Sequence, residues 1–244
     1  MRWNSPFPAL LLLAAVVFAG GCGRKAATTG NAEGWNLDPL HRAPHASYRL
    51  TVSGAYRGRL RIEILHQMLN GRSVIVQRQH RSGASSGMIE TVFDAATFVP
   101  SYVQIYDERE GQLRETRLDY GKNRVYETVV ASLFGGKDEQ DTTKIDSGTF
   151  DDSELLTALR ARPLPPGGSV TWTMYSSERK KAGEAEVHAE GVTEISVAGV
   201  EYQAQKIQVA LFGENRTVWI EQGDLRRVLL VEGPGELRME YEPS

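Results

Sequence analysis

Several residues stand where their types and spacing could do chemistry. Gly83-Ala84-Ser85-Ser86-Gly87 has the Gly-x-Ser-x-Gly spacing of a nucleophile elbow. That spacing presents a serine only on a strand-to-helix turn, with an acid and a histidine to follow. Met88 to Phe93 reads as another strand, so a hairpin turn explains the same residues. His66, His80 and His188 are scattered on or beside strands, and Pro44 between His41 and His45 opposes a regular helix there. No metal site is expected from them. The acidic run Asp138-Glu139-Gln140-Asp141, with Asp146, Asp151 and Asp152, lacks the ligand spacing and turn glycine of an EF-hand loop. Gly135-Gly136-Lys137 lacks the rest of a P-loop. Glu186 and Glu190 are carboxylates of a charged strand and support no acid–base mechanism by themselves. Arg179-Lys180-Lys181 falls in a hairpin and reads as a solvated turn, the other use being contact with anionic lipid headgroups. No catalytic residue and no cofactor is expected.

Cys22 has a more definite chemistry. Arg2, an apolar run from Ala9 to Ala19 and the small residues Gly20-Gly21 describe a secretory signal peptide over residues 1–21. The run is about half of the ~20 residues a transmembrane helix needs. Ala19-Gly20-Gly21-Cys22 resembles the bacterial lipobox, in which the Cys thiol is diacylated and the chain is cut before it. The usual leucine three places before the Cys is Ala19 here. Two or three acyl chains anchor stably where one is marginal. Gly23 follows the Cys instead of the aspartate that retains enteric lipoproteins at the inner membrane, so the expected location is the outer membrane, facing the periplasm.

The 244 residues are 41% hydrophobic and 24% charged with a net charge of −3, which opposes global disorder and a broad basic face for nucleic acid. One Cys allows no internal disulfide. The chain suits one large domain or two small ones. Residues 22–46 are rich in Gly, Ala, Thr and Asn, with Pro39 and Pro44, and read as a lipidated N-terminus and flexible tether, with docking of Trp35 on the domain as the other option. A single domain is expected over 47–244.

From Tyr48 the signal is period two. Tyr48, Leu50 and Val52 alternate with Arg49, Thr51 and Ser53; Leu60, Ile62 and Ile64 alternate with Arg61 and Glu63. Asn70-Gly71 marks a hairpin. Val170, Trp172 and Met174, then Ala185, Val187 and Ala189, then Leu237, Met239 and Tyr241 repeat the pattern. Around a dozen strands with one wet face describe antiparallel meanders. Full charges on the polar faces exclude a transmembrane barrel. Asp151 to Arg160 breaks the pattern and reads as a helix, with Asp151 as cap, Glu154 completing a capping box, and an apolar stripe of Leu155, Leu156 and Leu159. Gly135 to Gly148 reads as a mobile surface loop. The helix separates two halves that run in the same order, Thr91-Val92-Phe93 with Gly111-Gln112-Leu113-Arg114 answering to Thr217-Val218-Trp219 with Gly235-Glu236-Leu237-Arg238.

Tyr48 to Tyr241 resembles a family of exported bacterial proteins catalogued as domain of unknown function 3108. The resemblance rests on Gly54 and Gly58 in the opening strand pair, Asp94 before Pro100-Ser101-Tyr102, and Asp151–Arg160 followed by Leu164-Pro165-Pro166-Gly167. Gly199 to Val209, then Trp219, Asp224 and Arg226, complete it. The later strands carry less glycine and more charge than the family pattern. The resemblance implies a clam-like half-barrel around a helix, similar in outline to the Lol lipoprotein carriers. It implies no catalytic residues.

The expected fold is therefore mainly β: a curled antiparallel sheet, clam-like, with one central helix at about 151–162. The expected function is that of a lipid-anchored envelope protein, not an enzyme, holding a lipid, acyl chain or lipoprotein-like ligand in a β trough. Tyr48, Leu50, Ile62, Ile64, Trp172, Met174, Trp219, Met239 and Tyr241 are the candidate trough residues, and ordinary core is the other role open to each. The alternatives are a solid interaction module for an envelope partner and a cryptic hydrolase using Ser85.

Overall fold

The computed structural model describes residues 34–109, 112–130 and 138–243. The expected signal peptide over 1–21 and Cys22 lie outside these residues. Fifteen strands form one sheet. The first meander runs β1 (His45–Val52), β2 (Ala55–Leu69), β3 (Arg72–Gly83), β4 (Gly87–Asp94), β5 (Pro100–Arg109), β6 (Gln112–Tyr120), β7 (Arg124–Val130) and β8 (Glu139–Lys144). The short β9 (Phe150–Asp151), a 3-10 turn (Asp152–Glu154) and helix α2 (Leu155–Ala161) cross the concave side. The second meander runs β10 (Ser169–Ser176), β11 (Lys181–Val197), β12 (Val200–Leu211), β13 (Glu214–Glu221), β14 (Val228–Gly233) and β15 (Leu237–Glu242). An additional helix, α1 (Asp38–Arg42), precedes β1.

The two meanders join where β1 pairs with β15, and every neighbouring pair is antiparallel except β9 with β10. Tight turns set the pairing. Asn70-Gly71 has φ 51° and 76°, as a type I′ hairpin requires, and Phe212-Gly213 repeats it at 55° and 80°. The sheet curls without closing. The two ends of the sheet meet through side chains: Tyr175 of β10 meets Tyr120 of β6 edge to face at 6.2 Å, and Lys180 Nζ, in the turn after β10, reaches Glu127 of β7 at 3.4 Å and Asp141 of β8 at 3.8 Å.

The expected halves are present. β1 to β4 have 8, 15, 12 and 8 residues; β10 to β13 have 8, 17, 12 and 8. The motif match is one residue out of step, however. Thr91 and Phe93 are fully buried on β4, whereas Val218 and Ile220 are their buried counterparts on β13. Because a strand alternates faces, a slip of one residue exchanges inside for outside.

One end of the curl is packed solid. Trp35 stacks on Phe98 at 4.1 Å and lies 6.1 Å from Trp172, with Phe150 edge-on to both tryptophans. Leu40, Ala158, Leu159 and Ala161 are fully buried beside them. Arg160 ties α1 to α2: its Nη2 donates to the carbonyls of Pro39 (2.8 Å) and Ala43 (2.9 Å). Arg226 answers with bonds to the carbonyls of Arg160 (2.9 Å) and Leu159 (3.1 Å). Buried guanidinium groups are tolerable only when hydrogen-bonded in this way. The tether expectation is corrected here, since residues 35–46 are docked. Pro39 and Leu40 bury an apolar edge that composition alone hides.

Two more corrections concern local structure. Of the expected surface loop 135–148, the six residues Glu139–Lys144 are strand β8, whose residues are polar and mostly exposed and so carry no alternation to read. The helix begins as a 3-10 turn capped by Asp151, whose carboxylate accepts from Ser153 N at 2.9 Å. Glu154 completes no capping box: both its oxygens are buried without a partner.

Candidate functional site

Strand register lays out the concave face in rows. The deepest row runs Ile64, Gln77, Thr91, Val103, Leu118; the next runs Ile62, Gln79, Ile89, Ile105, Thr116. The row at the open end runs Leu60, Arg81, Gly87, Asp107, Arg114. Charged residues therefore appear only in the row at the mouth.

Helix α2 is set against these rows by polar contacts. Gln77 and Gln79 both donate to the Ser153 carbonyl, at 2.8 and 2.7 Å. Thr157 donates to Gln77 Oε1. Thr91 and Ser153 share a hydroxyl contact of 2.8 Å. From β12, Gln205 donates to the Leu164 carbonyl at 2.8 Å, beyond the other end of the helix. The first half thus gives two inward glutamines to one end of the helical segment and the second half gives one to the other, and the helix divides the concave side.

On its N-terminal side lies a trough of about 800 Å³. Leu50, Leu60, Ile89, Leu155, Leu156 and Met239 form its apolar walls, and Arg81, Arg114, Lys180 and Arg216 stand among its charged groups. That volume is within the range of about 300–1,000 Å³ typical of a small-molecule site.

The segment 151–154 beside the trough carries unusual acids. Asp151 is buried and holds a 2.5 Å bond from the Tyr120 hydroxyl; burial pushes its carboxyl up. Burial, and then the Asp151 charge, pushes Asp152 up to about 7. Burial, followed by both aspartates, raises Glu154 well above the carboxylate range. Desolvation of this kind favours the neutral acid. Asp152 lines the trough; Asp151 and Glu154 do not.

The sequence candidates divide. Leu50 and Met239 line the trough. Tyr48, Ile62, Ile64, Trp172, Met174 and Tyr241 belong to the core. Trp219 does not line the trough: it lies between the fully buried Val218 and Ile220, so alternation turns it to the other face, opposite Lys206 and Leu230, and it packs half-buried against the core. Ser85 sits in the β3–β4 hairpin and has no hydrogen bond to a histidine among the described residues. Among the same residues no group of three His, Cys, Asp or Glu is arranged to hold a metal ion. His66 stacks on His41 at 3.5 Å, His188 pairs with Ser169 at 2.9 Å, and His80 lies on β3. Sequence reasoning missed Arg81 and Arg114. The signal for Arg81 was its phase, since Ile75, Gln77, Gln79 and Arg81 share one face of β3.

Residues 47–240 match the sequence pattern of a family described only as a protein of unknown function, DUF3108. The chain belongs to that family. Its fold is similar to a solved structure from Brucella abortus, a beta-barrel-like protein of domain of unknown function DUF1849. The TM-score is 0.50 at 11% identity, over 81% of this chain and 94% of the other, which shows the likeness of fold alone. None of the curated proteins compared with the chain matches it. The family therefore carries the half-barrel expectation and brings no activity with it.

Proposed function

We propose that this is a lipid-anchored protein of the bacterial envelope that holds a hydrophobic ligand in its trough and is not an enzyme. The observation that supports the reading is the concave face itself. A curled sheet must fill its inside, and here the helix and aromatic cluster fill one end while about 800 Å³ at the other stays open. A concave cleft of this volume with mostly apolar walls and a few charged groups is the usual form of a small-ligand site. The lipobox-like Ala19-Gly20-Gly21-Cys22 supports the anchor and the outer-membrane location.

Residues 23–244 contain every described element and the whole family match, so they serve as the soluble test chain. Native mass spectrometry of that chain, followed by extraction, is expected to reveal a stoichiometric lipid or acyl species. A clean apo mass with no uptake of added lipids would favour the interaction module instead. The anchor is tested separately by the mass of the full chain recovered from membranes, with Cys22→Ser as the control.

A further inference from the structure

Resting on the trough reading above, we propose that the occupant is a single-chain amphiphile whose oxyanion head is held at the mouth by Arg81 and Arg114. The register supplies the geometry. Arg81 and Arg114 end the polar side of one cross-strand row, with Gly87 and Asp107 between them. Gly87 puts no side chain between the two arginines, and the backbone leaves no space for one. A Cβ there would meet the Tyr106 carbonyl at 2.7 Å and lie 3.8 Å from an Arg81 guanidinium nitrogen.

Pairing separates these arginines from others on the same strands. On the convex side of β3, Arg78 binds Glu90 at 2.7 Å; on the convex side of β6, Arg117 binds Glu115 at 2.5 Å. Arg81 and Arg114, one face over, have no ion pair and no side-chain hydrogen bond among the described residues. A planar guanidinium suits a carboxylate or phosphate, which it can grip with two parallel bonds.

The acids at the mouth leave room for such a head. Glu127 is taken by Lys180, and Asp152 carries a reduced charge at neutral pH because of its burial. Asp107 has a contact of its own, and Glu178 lies on the far lip near Lys180. Behind the arginines the next row is Ile89 and Ile105, and the helix offers Leu155 and Leu156. A chain lying inward along these residues has its head between Arg81 and Arg114. The volume, inside the range of about 300–1,000 Å³ that encloses one small ligand, suits one chain.

The test compares heads on one tail. Dodecyl phosphate, dodecanoate, dodecyl maltoside and dodecyltrimethylammonium are titrated calorimetrically into residues 23–244, each below its micelle concentration. Dodecyl phosphate and dodecanoate are expected to bind about tenfold tighter than dodecyl maltoside, the scale of one charge-assisted hydrogen bond. Their ranking tells a phosphate head from a carboxylate head. The double variant Arg81→Gln/Arg114→Gln is expected to lose that preference and keep the maltoside affinity. Arg81→Glu is expected to turn the preference toward dodecyltrimethylammonium. Both positions are exposed, so folding is not at stake. Equal affinity for all four heads, or a double variant with the preference intact, overturns the head assignment while the trough reading stands. Binding of none of the four overturns both.

Discussion

Asp152→Asn tests the electrostatics of the segment 151–154 beside the trough. The folded protein holds the Asp152 carboxyl at about 7, against an ordinary value of 3.8. The folded state therefore keeps more protons than the unfolded state between those values. The stabilisation is fully present below about pH 4 and is lost as pH rises through about 7. At ~1.4 kcal/mol per pH unit the whole window is worth roughly 4 kcal/mol, and trough water lowers the expectation to about 2–4 kcal/mol. Asparagine never ionises, so the variant is expected to gain that much relative to the parent between about pH 4.5 and about pH 8. Glu154 reinforces the effect, because Asp152 is among the charges that raise it. Urea unfolding followed by tryptophan fluorescence at a series of pH values measures the difference. Parallel stability curves for parent and variant would refute the argument that this segment holds an uncompensated carboxylate.

Three further outcomes are expected. Gly58→Ala should cost about 3 kcal/mol or more, because Gly58 has φ +147° and a Cβ would lie 1.9 Å from the Ser82 carbonyl; an unchanged urea midpoint would contradict the close approach of β2 to β3. Leu156→Trp should fill the trough and weaken uptake of a neutral naphthylamine probe by about tenfold or more, while Trp219→Ala, outside the trough, leaves it unchanged; fluorescence titration decides. Burial, then the facing His41, lowers His66, so its contribution to stability is present above about pH 6.5 and is lost as pH falls; His66→Phe should keep the stack and flatten the acid side of the melting-temperature profile.

Much of this fold was legible because alternation, tight turns and one helix are local signals. Val170, Trp172 and Met174 announced their strand, and Leu155, Leu156 and Leu159 their helix. β8 was illegible because Glu139–Lys144 has no buried face to write a period into the sequence. The docking of residues 35–46 depends on Arg160, more than a hundred residues away, so no window along the chain reveals it. Trp219 misled by its size, although Val218 and Ile220 on either side carried the correct phase. Trough and core could not be told apart, because Leu50 and Tyr48 share a face of one strand. Which of them meets open space is decided by where the helix ends.

The pairing of β1 with β15 sets where attachments can go. Ser47 lies opposite Glu242 at one end of the ladder, and Val52 lies opposite Leu237 at the other. The second end is the mouth, where Leu237 lines the trough. The C-terminal flank thus leaves from the packed end, where the docked residues 35–46 also begin, with Trp35 on Phe98 and Asn36 N bonded to the Ala161 carbonyl. At ~3.3 Å per residue the eight residues of β1 put about 25 Å between that exit and the mouth. A purification tag or fluorescent fusion placed after Glu242 departs from the far end and leaves the mouth uncovered.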